Sequence, residues 1–220
     1  AGAGAILLPS TIIPAGGYAL LHTATTGLNL DKDGDAIFLL DPSMALRDSM
    51  TFGTQPPGYT LGRTGPAGIW TLNNPTPGAA NQGAALTTAA AGLRITEVFA
   101  SPVVSYKDDW LELFNPGTLP VELSGLRLSD NRAGTSGSII PPFSYIAPAG
   151  YAVFLADNTS PPSGNHLNFS LDSQQGSLAL INTDGTSVID EFLTYPQTDD
   201  FSQTRPPTGG TAWAELATRG

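Results

Sequence analysis

The sequence predicts an all-β protein, a sandwich or barrel built from many short strands. Three observations carry this. Apolar residues recur with period two in run after run, the spacing that puts alternate side chains on opposite faces of a sheet. Turn-forming residues bound nearly every run, and the 220 residues include 25 Gly and 19 Pro. Helical periodicity is nearly absent.

Taken in chain order, the predicted strands are GYALLHTA (17–24), DAIFLLD (35–41), LRDSMTFG (46–53), LRITEVFA (93–100), DWLELFN (109–115), LSGLRLSD (123–130), GYAVFLAD (150–157), GSLALIN (176–182) and VIDEFLTY (188–195). Pro-Ala-Gly, Asp-Gly and Asn-Pro-Gly stand between them, residues that fix or tolerate turn dihedrals. The one helix-like composition, QGAALTTAAAG (82–92), has no apolar stripe to bury and reads as a linker, placed at 84–92.

An internal repeat organises these elements. IPAGGYALL (13–21) matches IAPAGYAVF (146–154), and LNLDKDGDAIFLLD (28–41) matches LNFSLDSQQGSLALIN (167–182). LRDSMTFG (46–53) matches VIDEFLTY (188–195), and TLGRTGPAGIW (60–70) matches SQTRPPTGGTAW (202–213). The expected organisation is a first unit over 1–83, the linker, and a second unit over 93–220. The strands of 93–130 have no counterpart in the first unit, which reads as truncated at its front. The opening AGAGAILLPS, without Met, reads as the start of a fragment of a longer protein.

The second unit resembles the lamin-tail domain of bacterial exported proteins. The motifs that carry the resemblance are LRITEVFASP, DDWLELFNPG, VELSGLRLSD, IAPAGYAVFLAD and LNFSL…GSLALINTDG…VIDEFLTY, in that order over about 93–213. The first unit resembles the same family from about residue 12 to NNPTPGAANQG (73–83). The resemblance implies an immunoglobulin-like β-sandwich in two tandem units, a non-catalytic accessory or interaction role, and an extracellular or cell-surface location. The DNA contacts known in nuclear lamins do not carry over. Nine basic against nineteen acidic residues give a net charge of −10, and phosphate backbones repel such a surface. Lys occurs only at 32 and 107. The same acidity disfavours anionic membranes, and no apolar run approaches the ~18 residues of a membrane span. Absence of cysteine removes disulfides, thiolate metal sites and Cys nucleophiles.

Candidate chemistry is sparse. Asp31-Lys32-Asp33-Gly34-Asp35 is reminiscent of a calcium loop, but its glycine precedes the third acid and no glutamate closes it, so a turn is the better reading. In DDWLELFNPG (108–117), Leu111 and Leu113 point one way and Trp110, Glu112 and Phe114 the other, with Asn115-Pro116-Gly117 as the turn. In LRITEVF, strict alternation groups Ile95, Glu97 and Phe99. If that face is the core, Glu97 needs backbone donors or a cation such as Arg94 or Arg127; alternatively Val98 marks the core and Glu97 is exposed. Glu97 and Glu112 on adjacent strands, with Asp108 and Asp109 upstream, make a divalent ion such as Ca2+ conceivable, although the spacing specifies none. There is no G-x-S-x-G elbow, His22 and His166 read as loop histidines, and no acidic pair is singled out for glycoside hydrolysis.

Trp70 and Trp213 occupy matching positions near the end of each unit, which favours packing. Tyr106, Trp110 and Phe114 form a candidate ligand face, which would suit stacking on sugar rings. The expected function is therefore a non-catalytic adhesion, spacer or interaction module with a protein or polysaccharide partner. The alternative is a carbohydrate-binding accessory domain of a secreted hydrolase. The missing front strands predict an open edge on the first unit, able to borrow a strand from another chain, form a homo-oligomer or pack on the second unit.

Overall fold

A computed structural model describes residues 6, 8, 12–87, 90–104, 106–132, 136–206 and 214–217. Antiparallel pairing dominates them, as the period-two pattern requires. The N-terminal part carries one short helix, α1 (Thr23–Thr26), and strands β1 (Asp35–Leu40), β2 (Leu46–Phe52), β3 (Thr60–Thr64), β4 (Ile69–Asn74) and β5 (Gln82–Gly83). Then come β6 (Arg94–Phe99), β7 (Asp109–Phe114), β8 (Val121–Glu122), β9 (Arg127–Ser129), β10 (Ser138–Ile139), β11 (Tyr145–Ile146) and β12 (Tyr151–Ala156). β13 (Gly176–Ile181), β14 (Val188–Thr194), β15 (Phe201–Thr204) and β16 (Ala214–Ala217) complete the chain.

Two sheets enclose the main core. One has the order β12-β7-β6-β15-β16, the other β10-β9-β13-β14. Between them Leu111 and Leu113 of β7, Ile95 and Val98 of β6, Phe154 of β12 and Leu178 and Leu180 of β13 are fully or almost fully buried. The all-β class and sandwich packing expected from the sequence are present. A β-bulge corrects the strict alternation read in LRITEVF. The register slips between Ile95 and Glu97, so Thr96 is the extra residue, and Ile95 and Val98 both reach the core. Glu97 and Phe99 take the outer face with Glu112 and Trp110, their cross-strand partners.

The hairpins β1–β2 and β13–β14 share a register. Asp35 faces Phe52 as Gly176 faces Thr194, Ile37 faces Met50 as Leu178 faces Phe192, and Leu39 faces Asp48 as Leu180 faces Asp190. Each then slips by one residue at the same place, after Leu39 and after Leu180. Among the described residues, however, no second sheet lies over the N-terminal hairpin.

That difference explains one correction. GYALLHTA (17–24) is not a strand; it is irregular as far as His22 and then enters α1. Its sequence counterpart forms β12, which pairs with β7 along its whole length. Among the described residues no strand lies alongside 17–24, and strand propensity alone does not hold an isolated strand in water. The segment read as a linker is also partly built into the fold: Thr87 bridges Val121 and Ala90 is buried in the core.

A close seam joins the N-terminal part to the sandwich. Gly53 N–H donates to the Pro142 carbonyl at 3.1 Å, Tyr145 N–H to Thr54 at 2.8 Å, and Gln55 Nε2 to Phe143 at 2.6 Å. Gly34 and Gly164 meet backbone to backbone, where a Cβ on Gly34 would lie 2.6 Å from the Gly164 Cα.

Candidate functional site: an open sheet face beside an Asp–Arg pair

On β1 and β2 alternation turns Ile37, Leu39, Asp48 and Met50 to one face. In the matching hairpin that face is the floor of the core, with Leu178 2% and Leu180 0% exposed. Here Ile37 is 41% and Leu39 50% exposed. The face opens into a groove of about 550 Å³ whose far wall is formed by Leu61 of β3 and Trp70 of β4. Among the described residues β3 pairs only with β4, and its other edge has no partner there.

At the groove's polar end Arg63 Nη2 donates to Asp48 Oδ1 at 2.7 Å, and the guanidinium lies 4.9 Å from the centre of the Trp70 ring. Hydrogen bonding from Arg63 holds the Asp48 carboxyl below the usual carboxylate range. The matching pair is Asp190–Arg205, and there it is nearly buried, each side chain 12% exposed. Its environment shows what such a pair does: Ile95 N–H donates to Asp190 Oδ2 at 2.7 Å and Arg205 Nε donates to the Ile95 carbonyl at 2.6 Å. Both backbone groups of one β6 residue are thus held by one ion pair, and Arg205 also lies over Phe192. Sequence reasoning passed over both pairs. The available signal was an Asp and an Arg kept at matched positions in LRDSMTFG and VIDEFLTY, and in LGRT and QTRP.

The residues singled out in the sequence fall elsewhere. Glu97 and Glu112 do come together, directly opposite on the outer face of β6 and β7. Ser202 Oγ donates to Glu97 Oε1, and Thr96 Oγ1 to Glu112 Oε1 at 2.8 Å. Burial first, and the Glu97 charge with it, push the Glu112 pKa up against the lowering hydrogen bond from Thr96. Asp109, also raised by burial, accepts from Leu171 N–H at 2.9 Å, while Asp108 is half-buried in the preceding loop. Asp31, Asp33 and Asp35 are tied into their own turn. Asp31 Oδ1 accepts from Asp33 N–H at 3.0 Å, Asp35 Oδ2 from Asp31 N–H at 3.2 Å, and Lys32 pairs with Asp33 at 2.7 Å. Among the described residues no three His, Asp or Glu side chains converge to hold a metal ion.

The candidate ligand face Tyr106, Trp110 and Phe114 is not one surface, which corrects the sugar-stacking arrangement. Trp110 is 8% exposed, stacked on Phe99 at 5.6 Å and capped edge-on by Tyr106 at 5.9 Å. Phe114 lies apart, 4.7 Å from the ring of Tyr151. A neighbouring loop covers the indole because a large apolar ring on a sheet face buries area by doing so. His166 Nδ1 is 2.6 Å from Asp157, with no nucleophile placed against it in the described contacts. Trp213 lies outside the described residues.

No curated protein and no solved structure matches the chain. The lamin tail domain matches residues 87–196, from the Thr87 bridge through β14, half of the sequence. It is an immunoglobulin-like, non-catalytic family, in keeping with two antiparallel sheets around one core. The chain belongs to the lamin tail domain family.

Proposed function

We propose that the protein is a non-catalytic interaction module of a larger bacterial exported or cell-surface protein. It consists of two tandem immunoglobulin-like units, the first lacking its front strands, and it docks a protein partner on the open face of that first unit. One observation carries the reading: Ile37 and Leu39 are 41% and 50% exposed where Leu178 and Leu180, in the same register of the matching hairpin, are 2% and 0% exposed. An apolar face of this kind beside an unpaired strand edge marks an interaction site. The tandem reading draws further support from the shared register and shared bulge of the two hairpins.

The test is selection of binders from a displayed library of random peptides on the intact protein and on Leu39→Asp. Apolar sequences enriched on the wild type and lost on the variant support the reading. Enrichment that is absent, or that survives the substitution unchanged, overturns it.

A further inference from the structure

We infer that Asp48 and Arg63 form a backbone clamp that seats an extended polypeptide strand of a partner protein along the free edge of β3, with an apolar side chain at the clamped residue and another three residues on. This rests on the docking role proposed above and names the ligand's chemistry. The template is internal to the molecule. On the matching hairpin, Asp190 accepts the amide N–H of Ile95 and Arg205 donates to the carbonyl of the same residue. Ile95 and Val98 go down into the core across the bulge, and β6 pairs with β15 at Gln203 and Thr204. Every receiving part recurs at the groove. Asp48 and Arg63 are paired at 2.7 Å. Ile37, Leu39 and Met50 stand where Leu178, Leu180 and Phe192 stand. Leu61 and Gly62 of β3, on an edge that no described residue pairs with, correspond to Gln203 and Thr204.

Main-chain pairing to a sheet edge gives such a site its affinity, and the pockets for alternate side chains give it selectivity. The carboxylate and guanidinium add two charge-assisted hydrogen bonds to a single residue, so the strand's register is fixed as well as its presence. A second copy of the chain is a poor donor, because its own β6 is fully occupied: Ile95 and Val98 are both 0% exposed.

The experiment uses the intact chain and a fluorescently labelled peptide, LRITEVFA with blocked ends, read by anisotropy. The parent peptide is expected to bind. The same peptide with its isoleucine nitrogen methylated loses the N–H that Asp48 accepts, and is expected to bind roughly tenfold or more weakly, the size of a hydrogen bond to a charged group. Asp48→Asn and Arg63→Gln are expected to weaken the parent peptide to a similar degree at an unchanged melting temperature. If library selection yields ligands but LRITEVFA does not bind, or binds equally well when methylated, the clamp is refuted and the docking role stands. If selection yields nothing, both fall. Self-association of the protein that the peptide fails to displace assigns the groove to a second copy and overturns the inference.

Discussion

Glu97 and Glu112 face one another across β6 and β7, each steadied by a single hydroxyl. Like charges directly opposite on a sheet are unfavourable, and burial adds to the cost of ionising Glu112, whose pKa is raised. The folded state therefore holds the Glu112 proton more tightly than the unfolded chain does. Stability from this site is fully present below the ordinary value of 4.5 and is lost as pH rises through the folded pKa. Glu112→Gln keeps an oxygen for Thr96 and removes the charge. It should raise stability at neutral pH by about 0.2–1 kcal/mol, the scale of one cross-strand pair, and leave stability near pH 4.5 almost unchanged. Thermal melts at the two pH values check this; a variant less stable than wild type at neutral pH would show that the pair is not repulsive.

The two Asp–Arg pairs show how one element behaves in two settings. Arg205 is nearly buried and ties β14 to β6, so Arg205→Ala leaves Asp190 uncompensated and should cost about 3–5 kcal/mol in denaturant unfolding. Arg63→Ala, at a pair whose side chains are about 45% exposed, should cost no more than about 1 kcal/mol. Equal losses would mean that the groove is closed in solution. β1, β2, β6, β7, β12, β13 and β14 fall within the runs of period two, whereas the paired strands β3, β4, β15 and β16 were not read, because polar residues and glycine break the apolar alternation there. GYALLHTA carried the same pattern and is no strand, because pairing depends on a neighbour that local sequence does not report. The slip at Thr96 was invisible for a related reason, since it is set by Asp190 and Arg205 gripping Ile95 from far along the chain. The cover over Trp110 arises from Tyr106 folding back, a tertiary contact that alternation in DWLELF does not encode. At the groove the sequence indicated only that something was missing; the ion pair facing the gap emerged once the two registers could be laid side by side.

At the scale of the whole molecule, burial is uneven, and local opening should follow it. Amides of β1 and β2 should exchange with solvent faster than those of β13 and β14, despite matching hydrogen-bond registers, and a bound strand should slow them selectively; uniform exchange across both hairpins would contradict the open-face description. The seam near Gly53 has a further consequence. A methyl group there would strike the Ser144 hydroxyl, and Gly53, Thr54 and Gln55 are fastened to residues 142–145 by hydrogen bonds from both sides. Such a joint leaves little room for swivelling. It makes the hairpin a bracket rather than a tether, so that a partner gripped in the groove would be carried at a set distance and angle from the five-stranded sheet, and a pull on that partner would pass as tension directly into the sandwich.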